Sequence, residues 1–249
     1  MEQSRKRFLR NLLIGASSVP AIIAACKKED IGSTTETASG NTGTGSGSGS
    51  CTVSPTETQG PFPTKTPSSL DRSDIRLDRT GVPLVFSITI RNTNDNCNTL
   101  ANTIVDVWHC DKDGYYSEYG GSGMQSVDYT AVHFLRGRQT TDTNGLVSFT
   151  SIFPGWYSGR ATHIHVHVYN NAGTSLLVTQ IAFPEGSDSA VATVNGSGGT
   201  AYGYTKGMSG YTYNANDNVF SDDSSGAELA TVTGSLSGYE LTHTIYVAA

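Results

Sequence analysis

Six short runs set the fold class. "LVFSITIRN" (84–92), "NTIVDVWHC" (102–110), "LVSFTSIF" (146–153), "THIHVHVYN" (162–170), "LLVTQIAF" (176–183) and "YELTHTIYVAA" (239–249) are rich in Val, Ile, Thr and aromatic residues. Gly, Asn, Asp and Pro punctuate the intervals between them. Such side chains suit a pleated, half-buried surface, and no long stretch keeps a 3.6-residue period. The expected fold is therefore all-β: a two-sheet β-sandwich with long loops and little helix. Asn144-Gly145, between expected strands, is a strong short hairpin signal. The Gly/Ser-rich stretch 186–228 reads as a region of few strands that supplies long loops over one edge. No internal repeat and no second folded domain is visible.

The first fifty of the 249 residues have a different composition. "SRKRFLRN" is basic, "LLIGASSVPAIIAA" is apolar but too short to span a bilayer, and Cys26 follows at once. This reads as a signal peptide over 1–25. The ending "IAAC" resembles a bacterial lipobox, which makes Cys26 the lipidated first residue of the mature chain. "SRKRFLR" also resembles a twin-arginine signal with Lys6 in place of the second arginine, which leaves the export route open. Residues 26–50 carry almost no large apolar side chain and read as a flexible Gly/Ser/Thr-rich tether. The expected location is outside the cytoplasm, anchored by lipid to the bacterial cell envelope on its periplasmic or surface face. The folded domain would occupy 51–249, with membrane contact through the lipid anchor only. Removing 1–25 takes away Arg5, Lys6, Arg7 and Arg10 against Glu2 alone, so the net charge of −6 becomes more negative. An acidic surface without basic clusters argues against nucleic acid as a partner. Nothing in the residues marks a subunit interface, so the oligomeric state stays open.

Besides Cys26 there are Cys51, Cys97 and Cys110. Outside the cytoplasm one disulfide is expected and one thiol is left over. The segment between Cys97 and Cys110 reads as mostly extended, which holds those two sulfurs beyond bonding reach. Cys51 with Cys97 is the preferred pair.

The chemistry concentrates in "GWYSGRATHIHVHVYN" (155–170). Alternate residues of a strand share a face, so His163, His165 and His167 point the same way. Imidazole fills an apolar core poorly and binds metals well. Tyrosines lie nearby in sequence at 115, 116 and 119 in "VDVWHCDKDGYYSEYG" and at 157 beside Arg160. Two tyrosines and two histidines could converge on one ion. Tyrosinate is a hard anionic ligand whose parent phenol titrates near pH ~10, so a strongly charged cation such as Fe(III) is needed to hold it. His109 and His133 read as ordinary satisfied histidines.

Read in order, "SPTETQGPF", "GVPLVFSITI", "VDVWHCDKDGYYS", "FLRGRQTTDTNG", "FPGWYSGRATHIHVHV" and "TQIAF" resemble the intradiol ring-cleavage dioxygenases, the family of catechol 1,2- and protocatechuate 3,4-dioxygenases. The resemblance is strongest to secreted single-chain members and runs from about Cys51 to the end. It implies non-haem Fe(III) held by Tyr116, Tyr157, His163 and His165. Catalytic roles would fall to Arg160, Gln180 and Tyr157, with Gly60 and Pro61 of "TETQGPF" on the substrate-pocket wall. Tyr115 becomes a neighbour of a ligand, and His167 has no ligand counterpart. The implied reaction takes a small aromatic diol and O2, cleaves the ring between the two hydroxyl-bearing carbons and gives a cis,cis-muconate-type diacid. Catechol, hydroxyquinol, protocatechuate and lignin-derived diphenols all remain candidates for the diol. Two other readings share the fold or part of the pattern. One is a surface-tethered, catalytically inactive transthyretin-like sandwich that binds a partner. The other is a zinc protein using the histidines alone.

Overall fold

The computed structural model describes residues 51–249. The expected signal peptide, the tether and Cys26 lie outside the described residues. Among these residues nine strands form two sheets, joined by loops with little helix. The first sheet holds β1 (Pro83–Asn92), β2 (Asn98–Thr99), β5 (Leu146–Ile152), β8 (Thr231–Ser235) and β9 (Gly238–Val247). Strand β1 is its centre, antiparallel to β2 and β5 and parallel to β9. The second sheet holds β3 (Ile104–Trp108), β4 (Arg136–Thr140), β6 (His163–Tyr169) and β7 (Ser175–Ala182). Its order is β4-β3-β6-β7, antiparallel throughout.

Period-two patterning explains the sandwich. Along β1, Leu84, Phe86, Ile88 and Ile90 are buried while Val85 is exposed. They share one core cluster with Val105 and Val107 of β3 and Ile164, Val166 and Val168 of β6. Each such side chain contributes roughly 1.5–3 kcal/mol on leaving water. Strand β6 differs from β1 in being buried on both faces almost throughout. Its aliphatic residues face the sandwich core, and its histidines face outward under a roof of loops. That roofed outer face is where the site lies.

The fold is all-β as the strand pattern predicts, with three strands beyond the six runs (the two-residue β2, β4 and β8) and one change of pairing. The strands β4 and β8 are not visible as strands in the sequence. The first is "RGRQT", polar and at a sheet edge; the second is "TVTGS", almost wholly exposed and holding a glycine. Asn144-Gly145 forms a turn, but not a hairpin: β5 pairs with β1 in the other sheet, so the turn carries the chain across the sandwich. It is closed by Asp142, whose Oδ1 accepts from Asn144 N at 2.8 Å and Leu146 N at 2.9 Å. Gly145 is needed there, because its φ is +70° and a Cβ would lie 2.6 Å from the Ile90 carbonyl oxygen. The stretch 186–228 contains a short helix, α1 (Ala190–Asn195), and 3-10 turns, with no strand among the described residues.

Cys51 is bonded to Cys97 with a sequence separation of 46, and Cys110 is a buried free thiol. Closing a loop of that length in the unfolded chain stabilises the fold by about 4 kcal/mol on a chain-entropy basis. The N-terminal segment is also stitched down by Ser54, which exchanges hydrogen bonds of 3.0 Å with the Tyr246 backbone.

Candidate active site

Strand register assembles the floor. Trp108 of β3 pairs directly with His165 of β6, and His165 pairs with Gln180 of β7. The three therefore stand in one row across three adjacent strands on the outer face. The Trp108 indole stacks on the His165 imidazole at 4.9 Å with an interplanar angle of 1°. His163 is two residues along on the same face, and its ring lies 4.7 Å from that of His165.

The donor atoms converge. His163 Nδ1 lies 2.6 Å from the Ala161 carbonyl oxygen. That contact requires Nδ1 to carry the proton, which leaves the Nε2 lone pair aimed into the site. Tyr116 Oη is 3.1 Å from His163 Nε2, and His165 Nε2 is also 3.1 Å from it. His165 Nδ1 is buried without a partner. Whichever nitrogen of His165 carries the proton, one polar atom stays unsatisfied or two lone pairs face each other. A buried orphan of that kind costs about 1–3 kcal/mol.

Electrostatics keeps these groups neutral. Burial pushes the His163 imidazole down to about 3, assisted by Arg160, and His165 well below its ordinary value, assisted by His163 and Arg160. Neutral imidazole is the ligating form. Burial pushes the Tyr116 phenol well above its ordinary value, so only a strongly charged cation would draw it into the phenolate form. Tyr157 is raised too, mainly by burial, while the Arg160 guanidinium beside it pulls it back down. Its ring lies 5.8 Å from that of Tyr116 and 5.7 Å from that of His163. Among the described residues no group of three or more His, Cys, Asp or Glu could hold a metal. The side chains here that could hold a cation are two imidazoles and two phenols, and a set with two oxygen anions would fit a hard trivalent ion.

Arg160 and Gln180 form one unit. Arg160 Nη2 donates to Gln180 Oε1 at 2.6 Å, and Gln180 Nε2 donates to the Thr58 carbonyl at 2.9 Å. The anchor behind them carries no signal in residue order. Asp217, fully buried in the strand-poor region, accepts from Arg160 Nε at 2.9 Å and Ala161 N at 2.7 Å through Oδ2. Its Oδ1 takes Val219 N at 2.8 Å. Phe220, two residues after Val219's own neighbour Asn218 in "DNVF", places its ring 6.3 Å from that of His163 and 5.7 Å from the Arg160 guanidinium.

The wall opposite comes from residues 57–62. Gly60 has φ +69°, and a Cβ there would meet His165 Cε1 at 3.0 Å, so the backbone lies against the imidazole edge. Pro61 is exposed beside it, and Phe62 stacks on Tyr116 at 4.8 Å. Arg136 of β4 ties the wall to the Tyr116 loop: Nη1 donates to the Phe62 carbonyl at 2.9 Å and Nη2 to the Ser117 carbonyl at 2.6 Å. The other histidines stand apart. His167 bonds Ser175 Oγ at 2.8 Å and Tyr169 Oη at 2.7 Å. His109 bonds the Cys110 carbonyl and Ser151 Oγ, each at 2.7 Å, and His133 pairs with Glu118 at 2.8 Å. Tyr115 packs against Tyr129.

A family model described as "Dioxygenase" matches residues 59–195, which span every one of these converging side chains except Asp217 and Phe220. This chain belongs to the intradiol ring-cleavage dioxygenases. It is similar to the chlorocatechol 1,2-dioxygenase of Rhodococcus opacus, 28% identical over 142 residues that cover 49% of this chain and 51% of that protein. A catechol 1,2-dioxygenase of Acinetobacter lwoffii is 26% identical over 125 residues, 43% of this chain and 38% of that one. The chain thus spans about half the length, or less, of these curated relatives. Among solved structures, an intradiol ring-cleavage dioxygenase from Tetranychus urticae superposes with a TM-score of 0.66 at 28% identity, covering 80% of this chain and 95% of that one. The dioxygenase domain of a Streptomyces sp. SirexAA-E fusion protein gives 0.55 at 25% identity over 80% and 99%. The dioxygenase fold therefore extends well beyond the matched 59–195 in this chain.

Proposed function

We propose that this chain is a non-haem Fe(III) dioxygenase that cleaves catechol-type rings between their two hydroxyl-bearing carbons with O2, giving a cis,cis-muconate-type diacid. The observation that carries the reading is the meeting of Tyr116 Oη, His163 Nε2 and His165 Nε2 within 3.1 Å contacts, with an unpartnered His165 nitrogen. Tyr116, Tyr157, His163 and His165 would hold the ion. When bound, ferric iron supplies the Lewis acidity and one-electron reactivity that open a chelated diol to O2. Tyr157, half-buried beside Arg160, would be held as a phenolate by the ion and would in that form take a phenolic proton at its oxygen. Arg160, held by Asp217 and Gln180, stabilises negative charge growing on the ring. Trp108, Phe62 and Phe220 supply apolar surface that limits water around the donors. The lipid anchor expected at Cys26 would set this chemistry on environmental aromatics at the cell envelope.

The test is a turnover assay on the iron-loaded chain with catechol under 18O2. The expected product is the muconate diacid carrying one labelled oxygen in each new carboxyl group. Catechol recovered unchanged by iron-replete protein would contradict the reading and favour a tethered binding module on the same sandwich.

A further inference from the structure

Of the four side chains expected to hold the ion, the two histidines sit on a strand whose backbone is paired on both sides, with β3 and with β7. Tyr116 belongs to no strand or helix. Among the described residues no backbone group bonds its N–H or its carbonyl. Both are taken by one side chain, that of Gln125. Its Oε1 accepts from Tyr116 N at 2.7 Å, and its Nε2 donates to the Tyr116 carbonyl at 2.8 Å. Two facing residues of an antiparallel sheet exchange the same pair of bonds. Gln125 thus gives a loop-borne phenol the backbone restraint that strand pairing gives the histidines of β6.

The loop around Gln125 shows that this is more than loop closure. Residues 121–124 and 126 are exposed, with Met124 at 73%, whereas Gln125 between them is at 3%. The neck of the loop is closed by Tyr129 N, which donates to the Tyr119 carbonyl at 2.9 Å. Gln125 Nε2 fastens the same neck through the Tyr119 carbonyl at 2.9 Å and the Val127 carbonyl at 3.2 Å. The two bonds to Tyr116 lie outside the neck and add nothing to closing it. With one N–H on one side and three carbonyls on the other, the amide has a single satisfied orientation. The Tyr116 ring is rigid beyond its side-chain torsions and is stacked on Phe62 at 4.8 Å. A shift of the backbone at this residue is therefore carried to Oη, which lies 3.1 Å from His163 Nε2.

We propose that Gln125 is a positioning residue of the iron centre: by gripping the backbone of Tyr116 on both sides, it fixes the point at which the phenolate oxygen meets the ion. The inference rests on the proposed function. Gln125 acts through Tyr116 and not by contact with the substrate. Groups that orient a ligand in this way typically carry a tenfold to hundredfold share of metal affinity or turnover.

The experiment compares the iron-loaded full chain with two variants. Gln125→Met keeps the length of the side chain and drops its four bonds, and Met124→Ser alters the exposed part of the same loop. The readouts are the phenolate-to-iron absorption band, the rate at which a chelator removes iron, and kcat on catechol. In Gln125→Met the band is expected to shift, iron to leave at least about tenfold faster, and kcat to fall by about 10–100-fold. Met124→Ser is expected to match the native chain in all three, and the same effects there would overturn the inference. A purely structural role would lower the thermal midpoint of the iron-free chain while the folded protein kept its native band and chelator rate. That result in Gln125→Met overturns the inference too. If Gln125→Met does not fold, Gln125→Glu, which keeps an acceptor for the Tyr116 N–H, is read in its place with the same effects expected. Failure of both to fold also overturns it, since the amide would then serve the fold and not the ligand. A native chain that takes up no iron and stays colourless fails the proposed function before any variant is compared, and the inference falls with it.

Discussion

Strand β6 presents histidines on its outer face near both ends, and the two ends have opposite hydrogen-bond economies. Around His167 every polar atom is matched: both imidazole nitrogens have partners, and neighbouring Asp106 takes a fork from Arg138 at 2.5 and 2.7 Å. Around His163 and His165 three lone-pair atoms crowd together at 3.1 Å and one nitrogen has no partner at all. Both clusters are polar, sheet-borne and shielded, so polarity alone does not mark a site. What separates the two ends is the crowding of Tyr116 Oη and two imidazole Nε2 atoms at one point, an arrangement the fold itself does not need. Buried His109, with both nitrogens bonded and its imidazole pushed by burial down to about 4, behaves like the His167 end.

Substitutions can break or sharpen that contrast. The largest effect is expected from Tyr116→Phe, which removes one converging oxygen without emptying the space its ring fills. Iron occupancy by metal analysis and ring-cleavage turnover should each fall by more than about 100-fold, with the thermal midpoint held or raised. Retained iron and turnover would remove Tyr116 from the ligand set. Next comes Asp217→Asn, which replaces an acceptor of three N–H groups with one that must turn a donor toward them. A loss of about 10–100-fold in kcat/KM is expected at unchanged iron content, because Arg160 loses its orientation. Loss of iron together with activity would instead make Asp217 a structural support of the whole centre.

At the other end, His167→Asn should cost about 1–3 kcal/mol in denaturant unfolding and leave iron content and turnover alone. A drop in iron would show that the two ends are not separate. The smallest effect is a matter of pH. Glu228 has its folded value raised, so between its unfolded value near ~4.3 and about 8 the native state holds the extra proton and stability declines as pH rises. Glu228→Gln removes that group, so the variant should gain on the native protein as pH goes from 5 to 8. Parallel stability curves over that interval would show that the carboxyl is not held protonated.

Much of this was legible from residue order alone, for physical reasons that also mark where legibility stops. Alternation along β6 puts His163 and His165 on one face before any pairing is known, and the six strand runs and the Cys51–Cys97 bond follow from local chemistry and reach. Pairing between distant strands is not local. Nothing in "VDVWH" tells that Trp108 stacks on His165, although alternation does put it on the face of Asp106. Strand β4 escapes notice because its Arg136 and Arg138 break the apolar pattern: one is buried among carbonyls and the other is paired with Asp106 across the sheet. Asn144-Gly145 signals a turn correctly, but a turn does not specify which sheet receives the next strand. Asp217 leaves no trace, since it lies in a loop without periodicity and acts on a residue 57 positions away.

The central claim is that the unmatched end of β6 holds ferric iron through two phenolates. Its most direct test is the visible spectrum of the chain during titration with iron, with metal bound per chain measured in parallel. A red-brown phenolate-to-iron charge-transfer band that saturates at one iron per chain, and is abolished by Tyr116→Phe, is the result predicted. A protein that stays colourless after iron is supplied would contradict the ligand set and the dioxygenase function built on it.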